Sequence, residues 1–167
     1  MVNIDLNAIA QMPPFSFLPE QKIGELRQHF SEEKAERNEV KFIRGKTKVT
    51  SLWVVVEGSA ELYYEKDGEK TLRRILSEGD CFGGISILLN SALAVRTMKI
   101  TEDTVFYTLP AAAFLELCSE FEDFKEFFTN TFGKKMLDRS YAEMISRQVE
   151  PTERTSPFFQ QRIYSIH

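Results

Sequence analysis

Glu78-Gly79-Asp80-Cys81-Phe82-Gly83-Gly84-Ile85-Ser86-Ile87-Leu88-Leu89 is the stretch on which the reading of the fold turns. A turn signal, Glu78-Gly79-Asp80, leads into an aromatic, a glycine pair and an apolar run short enough for one helical turn or a buried strand. The glycine pair lets backbone approach a ligand closely. If the run is helical, the N–H groups at its start point outward and favour negative charge. An anion is therefore expected near Gly83 to Ser86, with Phe82, Gly83, Gly84, Ile85 and Ser86 as candidate binding residues.

On both sides of this stretch the period is that of strands. Val40 to Ile43 ends at Arg44-Gly45, and Leu52 to Val56, apolar and rich in β-branched residues, ends at Glu57-Gly58. Ala60 to Glu65 alternates, and Asp67-Gly68 suits the positive φ angles of a tight hairpin. Leu72 to Leu76 returns, and a last pair covers Val95 to Ile100 and Thr104 to Leu109. Many short strands between glycine turns predict an antiparallel sandwich or barrel over residues 38–110.

The flanks read as helices. Residues 1–37 form the N-terminal unit, with Ile4, Leu6 and Ile9 before the Pro13-Pro14 break and Ile23, Leu26 and Phe30 on one face after Pro19. Residues 1–35 carry the helical pattern itself. Residues 111–149 form the C-terminal unit, opened by Pro110. Phe121, Phe124, Phe128, Phe132, Met136, Leu137, Tyr141 and Met144 make a stripe there that packs on the sheet and is wide enough for a homodimer seam. Residues 150–167 have linker composition, with Pro151 and Pro157, and are expected to lead toward a further domain in cis.

Charge and composition exclude several classes. The net charge is −4, and Arg73-Arg74 and Lys134-Lys135 are isolated pairs, so no basic stripe for DNA is present. Cys81 and Cys118 match no disulfide framework and read as reduced, partly buried thiols of a cytoplasmic protein. No stretch reaches the ~18 apolar residues of a membrane span. With only His29 and His167, a histidine metal site of the cupin type has no ligands. No nucleophile elbow or P-loop occurs, and no enzymatic activity is expected.

The opening stretch resembles the phosphate-binding cassette of cyclic-nucleotide-binding domains, which runs Gly-Asp-x-Phe-Gly-Glu, a short helix, then Pro-Arg-x-Ala-Thr/Ser-Val. Gly79-Asp80-Cys81-Phe82-Gly83 matches its opening and Thr97-Met98 suits its close, so the cassette-like segment spans residues 79–98. Gly45, and Trp53 before Gly58, match turn glycines and an aromatic strand of the family. The resemblance covers about residues 15–140. It implies a mainly β fold with flanking helices: a double-stranded, jelly-roll-like β-roll of eight strands between N- and C-terminal helices. It also implies that cAMP or cGMP is the ligand to consider.

Two family residues are replaced. Gly84 stands where the family has the Glu that binds the ribose 2′-hydroxyl. An ungapped alignment puts Leu93 where the family has the Arg that neutralises the cyclic phosphate. Arg96 is the cation nearby. Aligned without a gap it replaces the family's Thr and faces the pocket; with one gap it precedes Thr97 on a strand and faces away. Arg96 and Thr97 complete the candidate site.

Two functions follow. The first is a regulatory domain that senses a small anionic or nucleotide ligand and couples it to a downstream domain, without the family's usual bonds to ribose and phosphate. The second is a degenerate roll that binds no ligand and serves as a dimerisation or interaction scaffold in a multidomain signalling protein. The arrangement resembles bacterial proteins in which such a roll precedes CBS domains and a nucleotidyltransferase region.

Overall fold

The computed structural model describes residues 4–89 and 92–131. Short helices α1 (Asn7–Ala10) and α2 (Glu20–Leu26), with 3-10 turns at Phe15–Phe17 and Arg27–His29, precede the sheet. Six strands follow among the described residues: β1 (Ser31–Ala35), β2 (Val40–Phe42), β3 (Ser51–Lys66), β4 (Glu69–Leu76), β5 (Cys81–Phe82) and β6 (Thr97–Pro110). Helix α3 (Gly84–Leu88) lies between β5 and β6, and α4 (Ala111–Glu120) and α5 (Glu122–Thr131) close the described chain.

All pairing is antiparallel, in the order β1-β6-β3-β4, with β2 also on β6 and β5 also on β3. The mainly β roll with flanking helices is as expected; the described residues form six of the eight strands expected. The separate strands expected at 52–56 and 60–65 are one long β3, and those at 95–100 and 104–109 are one long β6. Register shifts between Val55 and Ala60 absorb the turn at Gly58 without ending the ladder. Gly58 has φ +100, and a Cβ there would lie 2.5 Å from the Asp103 carbonyl oxygen and from Thr104 Oγ1. Only glycine lets the two strands close over this bulge.

Residues 31–35, read as helical, form β1 instead, paired with Thr104 to Thr108. Three of the five are charged, so this edge strand carries little apolar period of its own; Ala35 is its buried position. The Asp67-Gly68 hairpin forms as expected, with φ of +55 and +81.

The core is one continuous cluster with two aromatic nuclei. Inside the roll, Phe42 meets Trp53 and Phe82 at centroid distances of 5.3 and 4.8 Å, and Trp53 meets Phe106 at 5.1 Å. Beneath the helices, Phe114, Phe124 and Phe128 pack at steep interplanar angles, and Phe15 joins them through Phe124 at 5.6 Å. Phe124 and Phe128 are thus core residues of this fold; Phe132, Met136, Leu137, Tyr141 and Met144 of the same stripe, and the segment 150–167, lie outside the described residues.

Candidate functional site

The cassette-like segment begins where β5 ends. Phe82 is buried in the roll, paired across from Trp53, and ends the strand. Gly83 has φ +103 and turns the chain into α3; a Cβ there would lie 2.8 Å from Val49 Cγ1 and 2.9 Å from the Ser51 carbonyl oxygen. The short apolar run is helical: Ile87 N–H donates to the Gly83 carbonyl and Leu89 N–H to that of Ile85. Its buried members include Ile85 and Ser86.

Gly84, where the resemblance sets the family's glutamate, has no room for a side chain. A Cβ at this position would lie 2.5 Å from Phe128 Cδ1 and 2.9 Å from Cε1. The ring of α5 occupies the space into which any side chain here would extend. No carboxylate can be presented from position 84 while α5 holds this place.

Arg96 is the decisive residue. It precedes β6 by one position, and the face it shares is set by alternation: Met98 and Ile100, two and four residues on, are both fully buried. Leu62 pairs with Met98 and Tyr63 with Thr97, so one step further Tyr64 and Arg96 face one another on the inner side. Arg96 is 2% exposed, and its guanidinium carbon lies 5.7 Å from the Tyr64 ring centroid. The inward alternative therefore holds, and the outward one does not. The direction follows from pairing with β3, whatever the gap in the alignment.

The electrostatics of this arginine are unusual. Among the described residues its side chain makes no hydrogen bond or ion pair, and its Nε is buried without a partner. Burial lowers its pKa to about 10; Tyr64 acts to raise it, and the like charges of Arg44 and Arg74 lower it. It still carries its proton at neutral pH. Removing a cation from water costs several kcal/mol, and a cation–π contact returns about 2. The balance is adverse for the guanidinium as the described residues hold it.

Arg44 is a member that sequence reasoning missed. It follows β2, where it reads as a turn residue before Gly45, yet its guanidinium lies 4.5 Å from the same Tyr64 ring. Its backbone N–H donates to Thr97 Oγ1 at 3.1 Å, which is the role the structure gives Thr97. The segment after Arg44 runs along the end of the cassette: Gly45 N–H donates to the Ala94 carbonyl, Ala94 N–H to that of Thr47, and Lys48 bridges Leu93. This pairing brings Arg44 beside Arg96, and nothing local to Arg44 signals it. Ser86 adds a second orphan: it is fully buried and its hydroxyl has no partner.

The structure thus brings Phe82, Gly83, Gly84, Ile85 and Ser86 onto one buried turn, and places Arg96 with Tyr64 and Arg44. Both cysteines are free and buried, and burial pushes the thiol of Cys118 up to about 12 and that of Cys81 higher still. Among the described residues no cluster of His, Cys, Asp and Glu is placed to hold a metal, and no helix is long and apolar enough to cross a membrane.

A roll with a glycine-opened short helix between β5 and β6, capped by helices, defines a class of regulatory ligand-binding folds. The model of the cyclic nucleotide-binding domain matches residues 32–121, more than half of the chain, and the chain belongs to that family. No curated protein matches it. Among solved structures it is similar to the regulatory subunit of a cAMP-independent protein kinase A from Trypanosoma brucei (TM-score 0.68, 18% identity, 86% of this chain and 50% of that one). It is also similar to the regulatory domain of Toxoplasma gondii protein kinase A with cAMP (TM-score 0.63, 18% identity, 88% and 53%). A third is the sensor domain of the transcriptional regulator DNR from Pseudomonas aeruginosa (TM-score 0.66, 11% identity, 80% and 89%). The chain spans about half the length of the two kinase regulatory proteins. At such identities the likeness is one of fold.

Proposed function

We propose that this chain is a regulatory domain, not an enzyme, that senses a small anionic ligand, nucleotides included, and passes its occupancy through α4 and α5 to a downstream domain in cis. The observation that carries this is Arg96: a buried guanidinium facing the roll interior, with Tyr64 and two like charges around it and no carboxylate among the groups that influence it. Such a group is stable in a fold when a counter-ion completes it. The family supports a ligand of this kind, and the Toxoplasma relative with cAMP makes that nucleotide a natural probe. The usual ribose contact is absent, because Gly84 lies under Phe128. Two unpaired buried thiols suit a cytoplasmic setting.

The test is thermal unfolding with and without anions. Phosphate, AMP, cAMP and cGMP are added to the protein and to Arg96→Met at the same ionic strength. An anion that raises the midpoint of the first and not of the second supports the sensor. If none shifts the midpoint at millimolar concentration, the reading fails.

One observation favours a second reading. With the Phe128 ring filling the space at Gly84, the roll can serve as a scaffold for neighbouring domains that binds no ligand. Then Arg96 is held by Tyr64 alone and the variant behaves like the parent toward every anion.

A further inference from the structure

Resting on the sensor reading, we infer that the ligand is a compact dianion of the phosphomonoester class, met by Arg96 and Arg44 together, and that a cyclic phosphodiester is the poorer ligand. Three observations lead there. First, the two guanidinium groups share one aromatic ring, at 5.7 Å for Arg96 and 4.5 Å for Arg44, so an anion lying against one is in the field of the other. Both are planar forks suited to phosphate oxygens. Second, apart from Tyr64, the groups whose charge acts on Arg96 are positive: Arg44 and Arg74, the latter only 3.9 Å from its own Asp80. A monoanion offers a single charge to this field. A phosphomonoester, doubly charged above its second pKa of about 6, offers a second. Third, Phe128 over Gly84 removes the sugar-directed carboxylate, so affinity has to come from the anion and not from the ribose.

The site differs from the family's own phosphate contact, whose arginine position falls in an ungapped alignment at Leu93, part of the short pairing with Lys48. Arg96 instead stands at the entry to β6, 2% exposed with an unpartnered Nε, and Ser86, fully buried, has an unpartnered hydroxyl on the same cassette. Both are groups in want of an acceptor or donor that the chain does not supply among its described residues.

Calorimetric titration of the full chain with inorganic phosphate, AMP and cAMP at about pH 7.5 tests this. Inorganic phosphate and AMP separate a free ion from an esterified one. The expected result is that phosphate or AMP binds at least about tenfold more tightly than cAMP, the factor that one modest charge-assisted contact is worth. Arg44→Gln is expected to bring the tighter of the two down to the cAMP level while circular dichroism stays unchanged. Binding of cAMP as tight as both, or a preference untouched by Arg44→Gln, overturns the inference and leaves the anion sensor standing. Binding of none of the three overturns the sensor reading itself.

Discussion

Arg96 and Gly84 set the physical character of the cassette, one by charge and the other by space. A buried cation that lacks a carboxylate is a stability cost, and replacing it with an apolar side chain of similar length removes that cost. Arg96→Met is therefore expected to raise unfolding stability by about 1–2 kcal/mol in the absence of anions. The pH dependence has a definite sign. The folded pKa, about 10, lies below the ordinary value of a guanidinium, so between these limits the unfolded chain holds more protons and stability rises with pH. The advantage of Arg96→Met over the parent should be full below about pH 10 and shrink above it. Urea titrations of both proteins at neutral and at alkaline pH check this; a variant less stable than the parent at neutral pH contradicts it. At Gly84 the constraint is steric. Gly84→Ala drives a methyl into the Phe128 ring and should cost about 1–3 kcal/mol, because that ring sits among Phe114, Phe124 and Phe127 and has little room to give. In a Phe128→Ala background the same substitution should cost far less, and a double-mutant cycle reads the coupling.

Elements here depend on side chains that hold irregular backbone in place. The bulge at Gly58 lets β3 run unbroken, and Thr104 clamps it. Its Oγ1 donates to the Ser59 or Glu102 carbonyl, at 3.0 and 2.6 Å, and accepts from Ser59 N–H at 3.1 Å. Thr104 is 2% exposed, so Thr104→Val leaves these groups without water to replace the hydroxyl. A loss of about 1–3 kcal/mol is expected, measured by chemical denaturation, with the fold retained. The same bulge marks the limit of what the sequence conveys. Glycine at 58 and the acidic turn at 101–103 read as breaks between strands, because a residue pattern reports local preference and not whether a neighbouring strand carries the ladder across. β1 escapes detection for a related reason: a charged edge strand has one buried position in five, and its pairing with β6 is invisible from residues 31–35 alone. The cassette is legible, since Asp80, Phe82 and the glycine pair each act locally. Arg44 is not, since it reaches Tyr64 only through the pairing of 45–49 with 92–94. The direction of Arg96 needs the register of β3 on β6, where Leu62 meets Met98.

At the scale of the whole molecule, coupling between ligand and helices requires that roll and helices be mechanically one body. The aromatic contacts make that case. Phe42, Trp53, Phe82 and Phe106 fill the roll, while Phe15, Phe30, Phe114, Phe124 and Phe128 fill the space under the helices. The two nuclei meet at the cassette, where Phe82 precedes the turn and Phe128 lies on Gly84. Phe30 also reaches β6 through Tyr107, at 6.3 Å, whose hydroxyl accepts from Asp5 N–H. If this continuity governs folding, the domain unfolds in one step. Trp53, the single tryptophan, reports the roll interior, and ellipticity at about 222 nm weights the helices. Urea curves from the two probes are expected to superimpose. Phe128→Ala, which removes a fully buried ring, is expected to shift both together by about 3–5 kcal/mol. If ellipticity is lost before tryptophan fluorescence, α4 and α5 form a separable cap. Occupancy would then be signalled by local release of that cap, and Phe128→Ala would move the ellipticity curve alone.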